Sequence, residues 1–209
     1  MRTAMQPASV LVVDDDSGIR LAIALVLQAA GYEVNTAKHG FDALVLLRTK
    51  TPDVIISDLN MPAMSGFEFL SIVRRRFPEI PVVAVSGAYP CGDGVPCGVV
   101  ADAFYAKGEA EPSDLLRTVA ELIRTKAARA VAHQQQPGPV WIPRNGEDAL
   151  GIPFIVLTCT ECLRSFPVSV VGEGEPEPQE TPCRYCATPV HYVIDFSLAV
   201  SSAPPPTVH

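Results

Sequence analysis

The sequence predicts an α/β fold: a doubly wound parallel sheet of five strands, followed by a small β-rich module. Two observations carry this. From Val10 to Ala128, short β-branched runs alternate with segments of helical spacing. That alternation builds a parallel sheet covered on both faces. Further on stand two CxxC pairs, Cys159/Cys162 and Cys183/Cys186, flanked by β-type runs.

The strand runs are VLVV, EVNTA, DVIIS, PVVAVS and AFYA. The helical segments are Ile19–Ala30, Asp42–Leu47, Phe67–Arg76 and Asp114–Ala128. The last has start signals in Pro112 and Ser113, and Leu115, Val119, Leu122 and Ile123 form one stripe. Between the fourth and fifth strands, AYPCGDGVPCGVVADA takes the place of a further helix. Gly92, Gly94, Gly98, Pro90 and Pro96 argue against one, since Gly costs ~1 and Pro ~3 kcal/mol in a helix interior. An irregular Pro90–Gly98 segment is expected, and Cys91 and Cys97 within it read as free thiols, with a redox-sensitive pair as the alternative. The expected boundaries are 8–128 for the first domain, 129–152 for a flexible Pro/Gly/Gln linker, 153–199 for the module and 200–209 for a disordered tail.

Composition narrows the function. The chain has 209 residues, 48% hydrophobic and 19% charged, with net charge −7. That balance disfavours a general polyanion binder. No uncharged apolar run reaches a membrane span, and the N-terminus lacks the apolar core and cleavage site of a signal peptide. A cytoplasmic protein is expected. In that reducing compartment paired CxxC motifs suggest metal or redox chemistry before structural disulfides.

Asp14 and Asp15 follow the first strand, Asp58 the third, Ser86 ends the fourth and Lys107 follows the fifth. A doubly wound sheet brings all five to one rim, where ligands bind. Three carboxylates repel one another there, and a divalent cation relieves this. Oxygen-only ligands suit Mg²⁺. Metal, ammonium and hydroxyl around Asp58 make an electrostatic clamp for a phosphoryl group moving onto its carboxylate.

The segments VLVVDDDSGIRLAIALVLQAAGYEV, PDVIISDLNMPAMSGFEFL, VVAVSG and YAKG resemble the receiver domain of two-component response regulators, over residues 8 to about 126. The resemblance implies a flavodoxin-like fold with Asp58 as phosphoacceptor. It implies direct Mg²⁺ ligation by Asp15, ligation by Asp14 mainly through water, and a backbone carbonyl from Asn60. Ser86 and Lys107 would contact phosphoryl oxygens, and Phe104 would change rotamer with Ser86 on activation. The implied partner is a sensor histidine kinase or phosphotransfer protein. The implied activity is limited to the domain's own phosphorylation and dephosphorylation, so no enzyme is expected. Gly108 departs from the family, which usually has a cis proline after the lysine.

Two CxxC turns present four sulfurs to one tetrahedral ion. The segment from residue 154 to 197 resembles a zinc ribbon, with Zn²⁺ held by Cys159, Cys162, Cys183 and Cys186. Disulfides or a redox role are the alternatives. Leu163 and Ala187 stand where glycine often follows the second cysteine. His191 reads as a strand residue, and Phe154, Phe166, Val168 and Tyr185 as the module's small core. A unit of this size needs the metal for much of its folding free energy. The first domain has its own core and is expected to move independently of the module and to survive chelation. From His133 onward there are three basic residues against eight acidic ones, and a thiolate-bound zinc ion adds two more negative charges. A phosphate-tracking surface needs the opposite sign. The expected output is therefore docking of a protein partner. The rival is a transcriptional regulator whose ribbon binds DNA.

Overall fold

The computed structural model describes residues 7–87, 101–108, 111–133, 140–142, 146–147, 153–169 and 178–194. Five strands, β1 (Ser9–Val13), β2 (Glu33–Ala37), β3 (Val54–Asp58), β4 (Val82–Ser86) and β5 (Ala103–Ala106), form one sheet in the order β2-β1-β3-β4-β5. All its pairings are parallel. β1, β3 and β4 are buried throughout, so they read as continuous apolar runs without polar alternation. The strand order reverses between β1 and β3, which places a crevice beyond their carboxyl ends.

Among the described residues four helices accompany the sheet: α1 (Ser17–Ala29), α2 (Gly40–Leu47), α3 (Gly66–Arg76) and α4 (Pro112–His133). Val10 and Val12 pack with Ile23 and Leu27 of α1 and with Leu115 and Val119 of α4. Leu11 and Val13 point the other way, toward the α2 and α3 side. α4 runs five residues beyond the expected end at Ala128. The expected irregular segment Pro90–Gly98 lies outside the described residues, as do Cys91, Cys97 and the tail. Among the described residues no helix is long and apolar enough to cross a membrane.

The second half holds six strands: β6 (Val140–Ile142), β7 (Gly146–Glu147), β8 (Pro153–Thr158), β9 (Ser165–Ser169), β10 (Pro178–Pro182) and β11 (Pro189–Ile194). They form two three-stranded sheets, β10-β11-β6 and β7-β8-β9. β6 runs parallel to β11, with Tyr192 opposite Val140, and β7 pairs antiparallel with β8. This corrects the reading of 129–152 as a flexible linker. Its start is helical, and 140–142 and 146–147 are strands tied into the module.

The two halves also do not form separate cores. Ile155, Leu157, Phe166, Val190, Tyr192 and Ile194 belong to the same apolar cluster as Leu44, Phe67, Leu70 and Val73. β6 lies against α3. In consequence α3 is covered on both sides, and every residue from Gly66 to Arg74 is buried. Its far end is fastened by Arg74, whose Nη2 lies 2.7 Å from Asp102 Oδ2, the oxygen that also accepts the Val82 N–H at 2.8 Å.

Glu68 is caught in this arrangement. Ser65 Oγ accepts the Glu68 N–H at 3.3 Å, half of a capping box. The returning half is not made, and among the described residues neither carboxylate oxygen has a hydrogen-bond partner. Burial pushes this carboxyl well above the usual range. The folded state therefore keeps a proton that the unfolded chain releases, and Glu68 costs stability as pH rises above its unfolded value. Glu68→Met should raise stability at neutral pH by about 1–3 kcal/mol, measured by denaturant unfolding. The gain should shrink as pH falls toward 4.

Candidate functional site

Asp14 lies just past β1, Asp58 at the end of β3, Ser86 at the end of β4 and Lys107 just past β5, so parallel packing alone brings them to one rim. Asp14, Asp58 and Ser86 are buried, whereas Asp15 is exposed. One carboxylate oxygen from each of Asp14, Asp15 and Asp58 lies within 4.8 Å of the others. Lys107 Nζ stands 2.8 Å from Asp14 Oδ2 and 3.1 Å from Asp58 Oδ2.

Burial opposes the Lys107 charge. The hydrogen bond and attraction from Asp14 and Asp58 outweigh it, so the ammonium is held above its ordinary range. At Asp58 burial wins: it raises the carboxyl despite the pull of Lys107, and repulsion from Asp14 adds to it. The Leu59 N–H donates to Asp58 Oδ1 at 2.8 Å. An all-oxygen donor set around a buried carboxylate fits Mg²⁺ by donor type and charge.

The loops hold this geometry tightly. Asp16 caps α1, its Oδ1 accepting from the Gly18 and Ile19 N–H groups, which lower its carboxyl. Arg20 Nη1 donates to the Asp14 carbonyl at 2.6 Å and reaches that of Asp15 at 3.4 Å. At the other side a Cβ on Gly66 would lie 2.0 Å from the Asp58 carbonyl oxygen, so only glycine lets α3 start there. Sequence reading passed over Asp16, Arg20 and Gly66. The Asp-Ser-Gly start of α1 was a legible cap signal, whereas the close approach at Gly66 exists only in the fold. Asn60 lies two residues past Asp58 in the loop to α3, and Phe104 is half-buried in β5, against the cluster on the α2 side.

A second cluster closes the other half. Cys159, Cys162, Cys183 and Cys186 are free thiols whose sulfurs all lie within 4.8 Å of one another. Cys159 and Cys186 sulfurs are 3.6 Å apart, and those of Cys162 and Cys183 are 3.7 Å apart. The edge of a tetrahedral site with ~2.3 Å zinc–sulfur bonds is about 3.8 Å, so the donor set fits Zn²⁺. The two turns repeat one design. Leu163 N–H donates to the Cys159 carbonyl and Ala187 N–H to that of Cys183, each at 2.9 Å. Burial pushes the Cys159 thiol up to about 12, while the Thr188 hydroxyl and N–H hold Cys186 down at about 6. His191 faces Glu180 across β10 and β11 and is not part of the four-cysteine cluster. Of the expected module core, Phe166 is buried but Tyr185 is 54% exposed.

The response regulator receiver domain profile matches residues 10–99. Over 154 residues the chain is 35% identical to the DNA-binding transcriptional regulator NtrC of Escherichia coli, covering 70% of this chain but 30% of that protein. It is 31% identical over 136 residues to the transcriptional regulatory protein PrrA of Mycobacterium tuberculosis, covering 65% of this chain and 58% of that one. Among solved structures, response regulator TrrA of Thermotoga maritima in complex with Mg²⁺ and BeF aligns with TM-score 0.50 and 30% identity, over 55% of this chain and 98% of that one. A receiver domain from Clostridium thermocellum aligns with TM-score 0.52 and 27% identity, over 58% and 98%. Through its N-terminal domain the chain belongs to the response regulator receiver family. It spans less than two thirds of the length of the curated relatives it matches.

The residues after the second cysteine of each turn, Leu163 and Ala187, have φ of 53° and 60°. That left-handed conformation costs a residue with a Cβ about 1–2 kcal/mol. At exposed Ala187 nothing offsets the cost, whereas the Leu163 side chain is buried in the shared core. Ala187→Gly should therefore stabilise the protein by up to about 1 kcal/mol. Leu163→Gly should destabilise it, both read from denaturant midpoints.

Proposed function

We propose that this chain is a phosphorylation-controlled response regulator of a two-component system, with Asp58 as phosphoacceptor and a zinc-bound second half that docks a protein partner. The observation that carries the first part is the Lys107 ammonium seated between Asp14 and Asp58 at the sheet rim. In this reading an Asp58 carboxylate oxygen attacks the phosphorus of a phosphohistidine on the kinase or phosphotransfer protein. The P–N bond breaks, its electron pair stays on the imidazole, and Asp58 carries an acyl phosphate. Lys107 and the Ser86 hydroxyl meet the phosphoryl oxygens. Asp14, Asp15, Asp58 and the Asn60 carbonyl would hold Mg²⁺, which supplies charge neutralisation at that point. Phe104 would follow Ser86 on activation. No enzymatic output is assigned to the second half.

Incubation with Mg²⁺ and a small phosphodonor should add one acyl phosphate, seen by mass spectrometry. Asp58→Asn should abolish it, and Lys107→Ala should blunt the response to it. Equal labelling of the Asp58→Asn protein would sink the assignment.

The four sulfurs at tetrahedral spacing support Zn²⁺. Because Cys159 must lose its proton to ligate, affinity should rise with pH. Since this half shares its core with α3, chelation should also lower the unfolding midpoint of the receiver half, against the expectation of independent survival. Spectrophotometric zinc titration and amide exchange of α3 with and without chelator measure both. Intact α3 protection after chelation would separate the two halves. The relatives named as DNA-binding or transcriptional regulators keep the DNA-binding rival in view. Gel shifts across salt decide it.

A further inference from the structure

Where the second half rests on α2, the two enclose an open groove of about 340 Å³. Phe41 and Leu44 of α2 and Leu163 of the first thiol turn give it an apolar lining. Val45 and Tyr185 also line it, 58% and 54% exposed. The charged residues of the lining are both arginines, Arg48 and Arg164, with no carboxylate among them. The Arg164 guanidinium carbon lies 5.4 Å above the Tyr185 ring. Neither arginine has an ion pair with any described carboxylate, in a chain whose net charge is −7.

We propose that this groove is the docking site for a partner-protein segment that combines carboxylates with one large apolar side chain. The inference rests on the reading of the second half as a protein-docking module and names the place where it docks. The Arg164 guanidinium lies over the Tyr185 ring, and its planar fork can grip a carboxylate in bidentate fashion. Val45 and Tyr185 flank the place for an apolar anchor, the kind of contact that dominates binding energy. Leu163 belongs to the thiol turn, Phe41 and Leu44 to α2 and Arg48 to its C-cap, so neither half presents the whole groove alone. The partner reads the joined state.

The test is fluorescence anisotropy of a labelled, glutamate-rich synthetic peptide with a central Phe-Leu, titrated with the zinc-loaded full chain. Saturable, salt-weakened binding is expected. Combined Arg48→Glu and Arg164→Glu substitutions should weaken it by about tenfold or more, as should Val45→Asp or a peptide with Ala-Ala at its centre. Circular dichroism and zinc content check that each variant remains folded and loaded. No binding to the wild-type chain, or unchanged binding by the folded double variant, overturns the groove while leaving the protein-docking reading open to pull-down. Duplex DNA that displaces the peptide, and that loses affinity with the same two arginines, overturns the groove and the protein-docking reading together.

Discussion

The constraint on which the rest of the structure depends is the double burial of α3. One side of this helix covers the parallel sheet, and the other lies under the C-terminal strands. Its first turn is pressed against the Asp58 carbonyl through Gly66. Its last turn is tied by Arg74 to Asp102 beside the β4–β5 edge. A helix gripped at both ends and both faces has little freedom to shift alone, because packed interiors do not deform continuously. The phosphoacceptor candidate and the thiol cluster are thereby joined through one element. Any linkage between them must act both ways.

Much of the first half was legible because its information is local. The five β-branched runs fixed the strands, and strand-end chemistry placed Asp14, Asp58, Ser86 and Lys107 together. The four cysteines were legible through spacing alone. What sequence could not convey was non-local. Val140, Trp141 and Ile142 sit between Pro139 and Pro143, and that punctuation reads as linker. Their strand exists because β11, some fifty residues later, supplies its partner. The extension of α4 follows from an alanine-rich stretch with no breaker before Gln134. The burial of Glu68 has no local sequence signal and follows from α3 being covered on both sides. The two arginines at the groove likewise come together only when α2 and the first thiol turn meet.

The two clusters use opposite electrostatic logic. At the sheet rim the carboxylates are crowded and one ammonium holds them, so their charge suits a further cation. At the thiol turns the backbone itself is strained, and each turn spends a left-handed residue to aim its sulfurs. In the first turn that residue is also an anchor, since Leu163 inserts into the core shared with α2. In the second it is an exposed alanine.

The parallel pairing of β6 with β11 has a consequence for synthesis. Ile194 must leave the ribosome before β6 can be held, and until then the outer side of α3 is bare. The sheet of the first half has all its strands once Ala106 has emerged and can assemble early, yet it does so with an uncovered apolar flank. Contacts spanning this much chain are slow to close, and exposed apolar surface invites association with other nascent chains in the interval. Truncation anywhere between β6 and β11 should therefore yield a species prone to aggregate or to be held by chaperones, even though the carboxylates and lysine of its sheet rim are all present.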